Sequence, residues 1–266
     1  MLNVFPVPAF KDNYFWVIDD GRFALVVDPG QATPVIAYLV QKSLTLAAIL
    51  ITHHHADHIG GIGGLLDWCD DRNTVVDVAV YGPANEKIPY CTHPLSGGAT
   101  VKIASPGLSL DVIDVPGHTA GHIAYYAERE GWLFCGDTLF AGGCGRLFEG
   151  TAAQMRASLG KLAALPAETN VFCAHEYTIA NLLFACAVEP NNAALRSRVE
   201  RDTATRERGE PTVPSTIALE RATNPFLRWD EAEVKLAAAR ASFGTFGPNA
   251  PADLVFATIR EWKDNF

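Results

Sequence analysis

Thr52-His53-His54-His55-Ala56-Asp57-His58 follows directly on the apolar run Ala47-Ala48-Ile49-Leu50-Ile51. A short apolar run of this kind reads as a buried strand, so the loop leaving its end lies at a sheet rim. The loop has His-x-His-x-Asp-His spacing. Its imidazole nitrogens and carboxylate oxygen suit zinc, iron or manganese. Two ligand sets share it, His53 with His55 and Asp57 with His58, which points to two metals.

Outward from this loop, further ligand candidates each follow a strand-like run. Leu110 to Val115 leads into Pro116-Gly117-His118-Thr119, Trp132 to Cys135 into Gly136-Asp137-Thr138, and Val171 to Ala174 into His175-Glu176-Tyr177. His53, His55 and His118 make one three-histidine set. Asp57, His58 and His175 make a second, and Asp137 has two oxygens with which to bridge the pair. Each metal then keeps an open position, the mark of a catalytic rather than a structural site. His54, between two ligands, should point the other way. His122 at a strand start reads as a packed residue or one that supports a ligand from behind, and His93 as a solvent or loop histidine.

The chain has 266 residues, 48% of them apolar, enough for one large domain or a large and a small one. No apolar run approaches the roughly 18 residues of a membrane span. The N-terminus lacks the basic and apolar stretches of a signal peptide. Six scattered cysteines without a Cys-x-x-Cys pair fit free thiols in a reducing, cytoplasmic compartment. A formal charge of −9 without a basic run argues against a nucleic-acid partner.

Residues 15–18 and 23–27 read as a hairpin about Asp19-Asp20-Gly21-Arg22. Thr33 and Pro34 read as N-cap and first residue of a helix to about Lys42, and 59–68 as a second helix. Residues 78–81, 108–115, 122–128, 132–135 and 171–174 read as strands. Thr151-Ala152-Ala153-Gln154 is a capping box for a helix to about Leu165. Beyond Tyr177 the patterns are helical, over 179–188, 193–208, 230–242 and 252–263. The spacing thus predicts an α/β metal-binding catalytic domain over 1–177 and a helical domain over 178–266.

Thr-His-x-His-x-Asp-His, followed by Gly-His-Thr, Gly-Asp-Thr and a late strand-terminal histidine, resembles the metallo-β-lactamase superfamily. That resemblance implies an αββα sandwich with a C-terminal α-helical domain. The chain is most similar to the glyoxalase II (hydroxyacylglutathione hydrolase) branch through Asp12-Asn13-Tyr14, residues 134–140, Gly143 to Thr151, Ala174 to Thr178, Asn224 to Arg228 and Arg260 to Phe266. It implies two divalent ions per chain, zinc first, with iron or manganese as alternatives. It also implies that Arg146, Phe148, Tyr177, Arg260 and Lys263 hold glutathione. Relatives often carry Lys at 146 and Tyr at 148, so hydrogen bonding to the tripeptide differs here.

The expected reaction is hydrolysis of the thioester of an S-(2-hydroxyacyl)glutathione, such as S-D-lactoylglutathione, to glutathione and D-lactate. This is the second step of methylglyoxal detoxification. A metal-bound hydroxide attacks, with Asp57 and Asp137 required as ligands and Asp57 placed to accept a hydrogen bond from the nucleophile. Asp28 either orients a ligand imidazole or simply makes its Asp-Pro-Gly turn. Cys144 has no free histidine base and is not expected to act as a nucleophile. The residues alone leave open a clamp of Arg260 and Lys263, three apart on one helix face, or mere complementation of the helix dipole. The resemblance selects the clamp and implies a monomer. The rivals are a glutathione-persulfide dioxygenase and another metallo-hydrolase of the same fold.

Overall fold

The computed structural model describes residues 1–72 and 77–266. They fall into two units, Met1–Asp114 with Thr119–Gly136, and Val115–His118 with Asp137–Phe266. The boundary expected after Tyr177 lies inside the second unit.

The first unit carries a sheet in the order β1 (Asn3–Ala9), β2 (Asn13–Asp19), β3 (Phe23–Val27), β4 (Thr45–Leu50), β5 (Ala79–Pro83), β6 (His93–Leu95). The first three strands run antiparallel and the rest parallel. Parallel neighbours need crossovers. Helix α1 (Ala32–Lys42) supplies one, and α2 (Ala56–Ile59) with α3 (Ile62–Asp71) begins the next. β1 was not foreseen. Its Pro6 and Pro8 weaken the strand pattern, yet prolines are tolerated at a sheet edge, which is where β1 sits.

Every residue of β2 is buried, so both faces of the sheet are covered. On one face Phe15, Val17, Val26 and Ile49 pack with Val35 and Leu39 of α1 and Ile62 and Leu65 of α3. A second sheet runs antiparallel through β7 (Thr100–Ile103), β8 (Leu108–Asp114), β9 (Ile123–Ala127) and β10 (Trp132–Gly136). The Tyr125 hydroxyl of β9 donates to the Ile51 carbonyl at 2.8 Å, joining the sheets beside the histidine loop. Burial, then the Asp28 charge, pushes that phenol well above its usual range, so it stays a donor.

The second unit opens with a small hairpin, β11 (Leu139–Phe140) and β12 (Gly143–Cys144). Helix α4 (Ala152–Ala163) starts at Thr151 with both hydrogen bonds of the expected capping box. β13 (Asn170–Cys173) pairs with β14 (Ser215–Thr216), a strand too short to show a period. Helices α5 (Thr178–Val188), α6 (Ala193–Glu207), α8 (Ala232–Ala241) and α9 (Ala252–Asp264) lie where expected, and α7 (Ile217–Thr223) was not foreseen. Phe184, Phe226 and Phe256 form an aromatic core among them.

Two local expectations need correction. Helix α1 is capped by Gln31, with Thr33 already its second residue, so Thr33 is no N-cap. The helix expected over 59–68 is divided at Gly60-Gly61 into α2 and α3, which places Asp57 and His58 in a short helical turn.

Candidate metal centre

In the first unit the loop after β4 is held by Asp28. Its carboxylate accepts the Thr52 amide at 2.7 Å and the Thr52 hydroxyl at 2.7 Å. Having given its proton to Asp28, the Thr52 hydroxyl accepts from His53 Nδ1, 3.0 Å away. The Nε2 of His53 then carries the ring's lone pair, and it stands 3.0 Å from Nδ1 of His55. Asp28 also faces Nδ1 of His58 at 3.1 Å, which turns Nε2 of His58 to within 3.6 Å of the Asp57 carboxylate. Asn13 donates to that carboxylate at 3.0 Å. Asp28 adopts a left-handed φ of 52°, which an aspartate tolerates, and the strained turn aims its side chain into the loop. Gly30 lets the two loops touch, since a Cβ there would lie 1.9 Å from the Asp57 carbonyl oxygen.

The second unit brings together the other three expected ligands. Nδ1 of His118 donates to the Arg146 carbonyl at 2.9 Å, which puts the ring's lone pair on Nε2, 3.4 Å from one oxygen of Asp137. Nε2 of His175 stands 3.4 Å from the other oxygen. Asp137 therefore spans two imidazoles, presenting one oxygen to each.

These separations test whether the residues suit a metal. Ligand atoms about 2.1 Å from a tetrahedral ion stand roughly 3.4 Å apart. A lone-pair nitrogen opposite a carboxylate oxygen at that distance is repulsive unless a cation lies between them. The donor sets fit a divalent ion.

The remaining histidines have other surroundings. His54 turns its Nδ1 to Glu86 at 2.9 Å. His122 is buried, donates to the Ile123 carbonyl and stacks on His53 with centroids 4.6 Å apart. His93, expected in a loop, instead lies in the edge strand β6, paired with Tyr81.

Residues 10–175 match the family model of the metallo-β-lactamase superfamily, and residues 176–266 that of the hydroxyacylglutathione hydrolase C-terminus. A hydroxyacylglutathione hydrolase of Nitrosomonas eutropha is 53% identical over 269 residues, covering 100% of each chain. One of Cupriavidus taiwanensis is 55% identical, again over 100% of each. The chain belongs to the hydroxyacylglutathione hydrolase (glyoxalase II) family. Among solved structures, TTHA1623 in a di-iron-bound form aligns with a TM-score of 0.59 at 26% identity, covering 84% of this chain and 100% of that one. The metallo-β-lactamase fold with a helical C-terminal region, expected from the histidine loop, is the glyoxalase II fold seen here, and divalent metal binding goes with it.

Of the residues expected to hold substrate, this glyoxalase II chain places Arg146, Phe148 and Tyr177 beside His118 and His175. Phe148, 63% exposed, meets the His118 ring edge-on at 5.3 Å. Tyr177 stacks on His175 at 4.7 Å with the rings 4° from parallel. The Arg146 side chain is largely exposed, its Nε 3.7 Å from Asp264. Arg260 is buried. Its guanidinium donates to the Cys144 carbonyl at 2.9 Å and to Asp264 at 3.0 Å, over the Phe226 ring. Lys263 reaches the Ala180 carbonyl at 3.1 Å. Arg260 and Lys263 thus occupy different surroundings, one buried and one half-buried. Cys144 is buried, and burial raises its thiol despite the Arg260 charge, which opposes a nucleophilic role.

Asn13, Thr52 and Glu86 escaped the residue-by-residue reading of the sequence. Asn13 stood out only through the family's Asp-Asn-Tyr opening. For Glu86, three residues past the end of β5, a strand-end position was the single signal.

Proposed function

We propose that this chain hydrolyses the thioester of S-(2-hydroxyacyl)glutathione, S-D-lactoylglutathione among them, to glutathione and a 2-hydroxy acid, the second step of methylglyoxal detoxification. The observation that carries this reading is the cluster of exposed Arg146, Phe148 and Tyr177 about the His118–Asp137–His175 group. The names of its full-length relatives support it.

His53, His55 and His118 would hold one divalent ion and Asp57, His58 and His175 a second, with Asp137 as the shared ligand and zinc as the first candidate metal. The di-iron form of TTHA1623 supports a pair. When bound, such ions supply a water acidic enough to attack at neutral pH and a positive charge for the thioester carbonyl. The protein's own residues do the rest. Asp28 and Thr52 fix the imidazole tautomers, and Asn13 holds the Asp57 carboxylate. Phe148 and Tyr177 flank the reacting end with flat apolar faces. Arg146 and Lys263 offer charge to the glutathione carboxylates, while Arg260 holds the Cys144 carbonyl two residues before Arg146. A thiol of pKa about 8.5 leaves without a dedicated acid.

The protein acts in the cytoplasm, a reading supported by six cysteines none of which is joined in a disulfide, and it acts as a monomer, as the family resemblance implies. No helix of the described residues is long and apolar enough to cross a membrane. The deciding experiment measures free thiol released from S-D-lactoylglutathione by metal-loaded protein, beside the same acyl group on a simple thiol. Selective hydrolysis of the glutathione ester supports the reading. Equal rates remove the glutathione assignment, and oxygen uptake on glutathione persulfide without hydrolysis moves the chain to dioxygenase chemistry.

A further inference from the structure

We infer that Glu86, which lies outside every motif of the family resemblance, is a positioning residue for the His53/His55 metal position. The inference rests on the metal reading above. Glu86 follows β5, and β5 lies parallel beside β4. Parallel neighbours end on the same rim, so the turn after β5 lies next to the histidine loop after β4. That turn is closed by the Glu86 amide donating to the Pro83 carbonyl at 3.3 Å. The Glu86 side chain is only 3% exposed.

Its two oxygens are divided between two segments. Oε2 accepts the His54 amide at 2.6 Å and His54 Nδ1 at 2.9 Å. Oε1 accepts the Gly121 amide at 3.0 Å and the Thr119 hydroxyl. Hydrogen bonds to an ionised carboxylate are about twice as strong as neutral ones. The pinned amide belongs to the peptide that joins His53 to His54, so holding it fixes the backbone between the two ligand imidazoles of His53 and His55. Holding the His54 ring as well keeps that third imidazole out of the metal position.

Gly121 completes the device. A Cβ at 121 would lie 2.5 Å from Glu86 Cγ, so a side chain there would push the carboxylate off its donors. Glutamine at 86 keeps the volume, but its amide turns a donor toward one of the two donor pairs. Glu86→Gln and Gly121→Ala therefore disturb the same contact from opposite sides.

The test uses the full chain with Zn2+ affinity from chelator competition and the visible spectrum of bound Co2+. We expect both variants to bind Zn2+ roughly 10–100-fold more weakly, the usual effect of losing a group that orients ligands. An altered Co2+ spectrum and an unchanged melting temperature of the metal-free protein should accompany the loss. Wild-type affinity and spectrum in Glu86→Gln would overturn the inference while leaving the metal site intact. So would a fall in metal-free stability with the spectrum unmoved, which marks a merely structural residue. Should Glu86→Gln not fold, Gly121→Ala decides by the same readouts. His53→Ala is the separate control. If it binds Co2+ as the wild type does, the metal reading itself fails, and the inference with it.

Discussion

The Asp28 carboxylate stands 3.1 Å from Nδ1 of His58 while accepting both the amide and the hydroxyl of Thr52. One side chain thereby sets the orientation of two imidazoles, His58 directly and His53 through Thr52. Asp28→Asn turns an amide donor toward one of these donors. It should lower metal affinity and kcat roughly 10–100-fold with little change in KM. Metal content after dialysis and steady-state rates check this, and an unaffected variant would reduce Asp28 to a turn residue.

Asp137 offers one oxygen to each of two histidines, both at 3.4 Å. Asp137→Ala removes both at once. It should lose bound metal and nearly all turnover, as read by elemental analysis of the purified protein and thiol release. Full metal retention would show that Asp137 does not bridge.

Lys263→Ala should raise KM and leave kcat nearly unchanged, because the ammonium is remote from the reacting carbon. A large kcat loss at constant KM would sink that role. Burial, then the Arg260 charge, lowers the Lys263 pKa below its usual 10.5. The folded chain therefore gives up this proton at lower pH than the unfolded chain. KM should climb as pH rises through a window beneath 10.5. In that window stability should increase with pH, since the unfolded state binds more protons there. Lys263→Ala should flatten both trends, which pH-dependent kinetics and urea melts can follow.

Arg198 of α6 is almost wholly buried, paired with Glu220 at 2.7 Å and Asp202 at 3.2 Å. Glu220 in turn accepts the Gly142 amide and the Asn224 side chain, so this network supports the β11–β12 hairpin. Arg198→Ala strands two buried carboxylates and should cost about 3–5 kcal/mol. Chemical denaturation measures the loss. A change within 0.5 kcal/mol, as at ordinary surface sites, would mean the network relaxes freely.

What the sequence revealed of the site was local. His53, His55, His118, Asp137 and His175 each follow an apolar run, and a strand's end can be read without knowing its neighbours. Asp28, Asn13 and Glu86 act across 24, 44 and 32 positions, on Thr52, Asp57 and His54. No spacing rule reaches that far, because strand order creates those contacts. The same limit hid β14, whose two residues show no alternation, and β1, whose prolines mask it. Arg260 was misleading for another reason. Helical periodicity places it on a face with Lys263, but only the packing over Phe226 reveals that this part of the face is buried.

The prolines of β1 matter beyond the native fold. An open sheet edge invites a passing chain to add a strand, and it does so through the N–H groups that point outward. In β1 the strand neighbour lies on one side only, and Pro6 and Pro8, two residues apart, bring no N–H at all. A newcomer would find donors missing at successive outward positions along the edge. The chain thus carries its own guard against sheet-to-sheet polymerisation, set by two prolines on one edge strand.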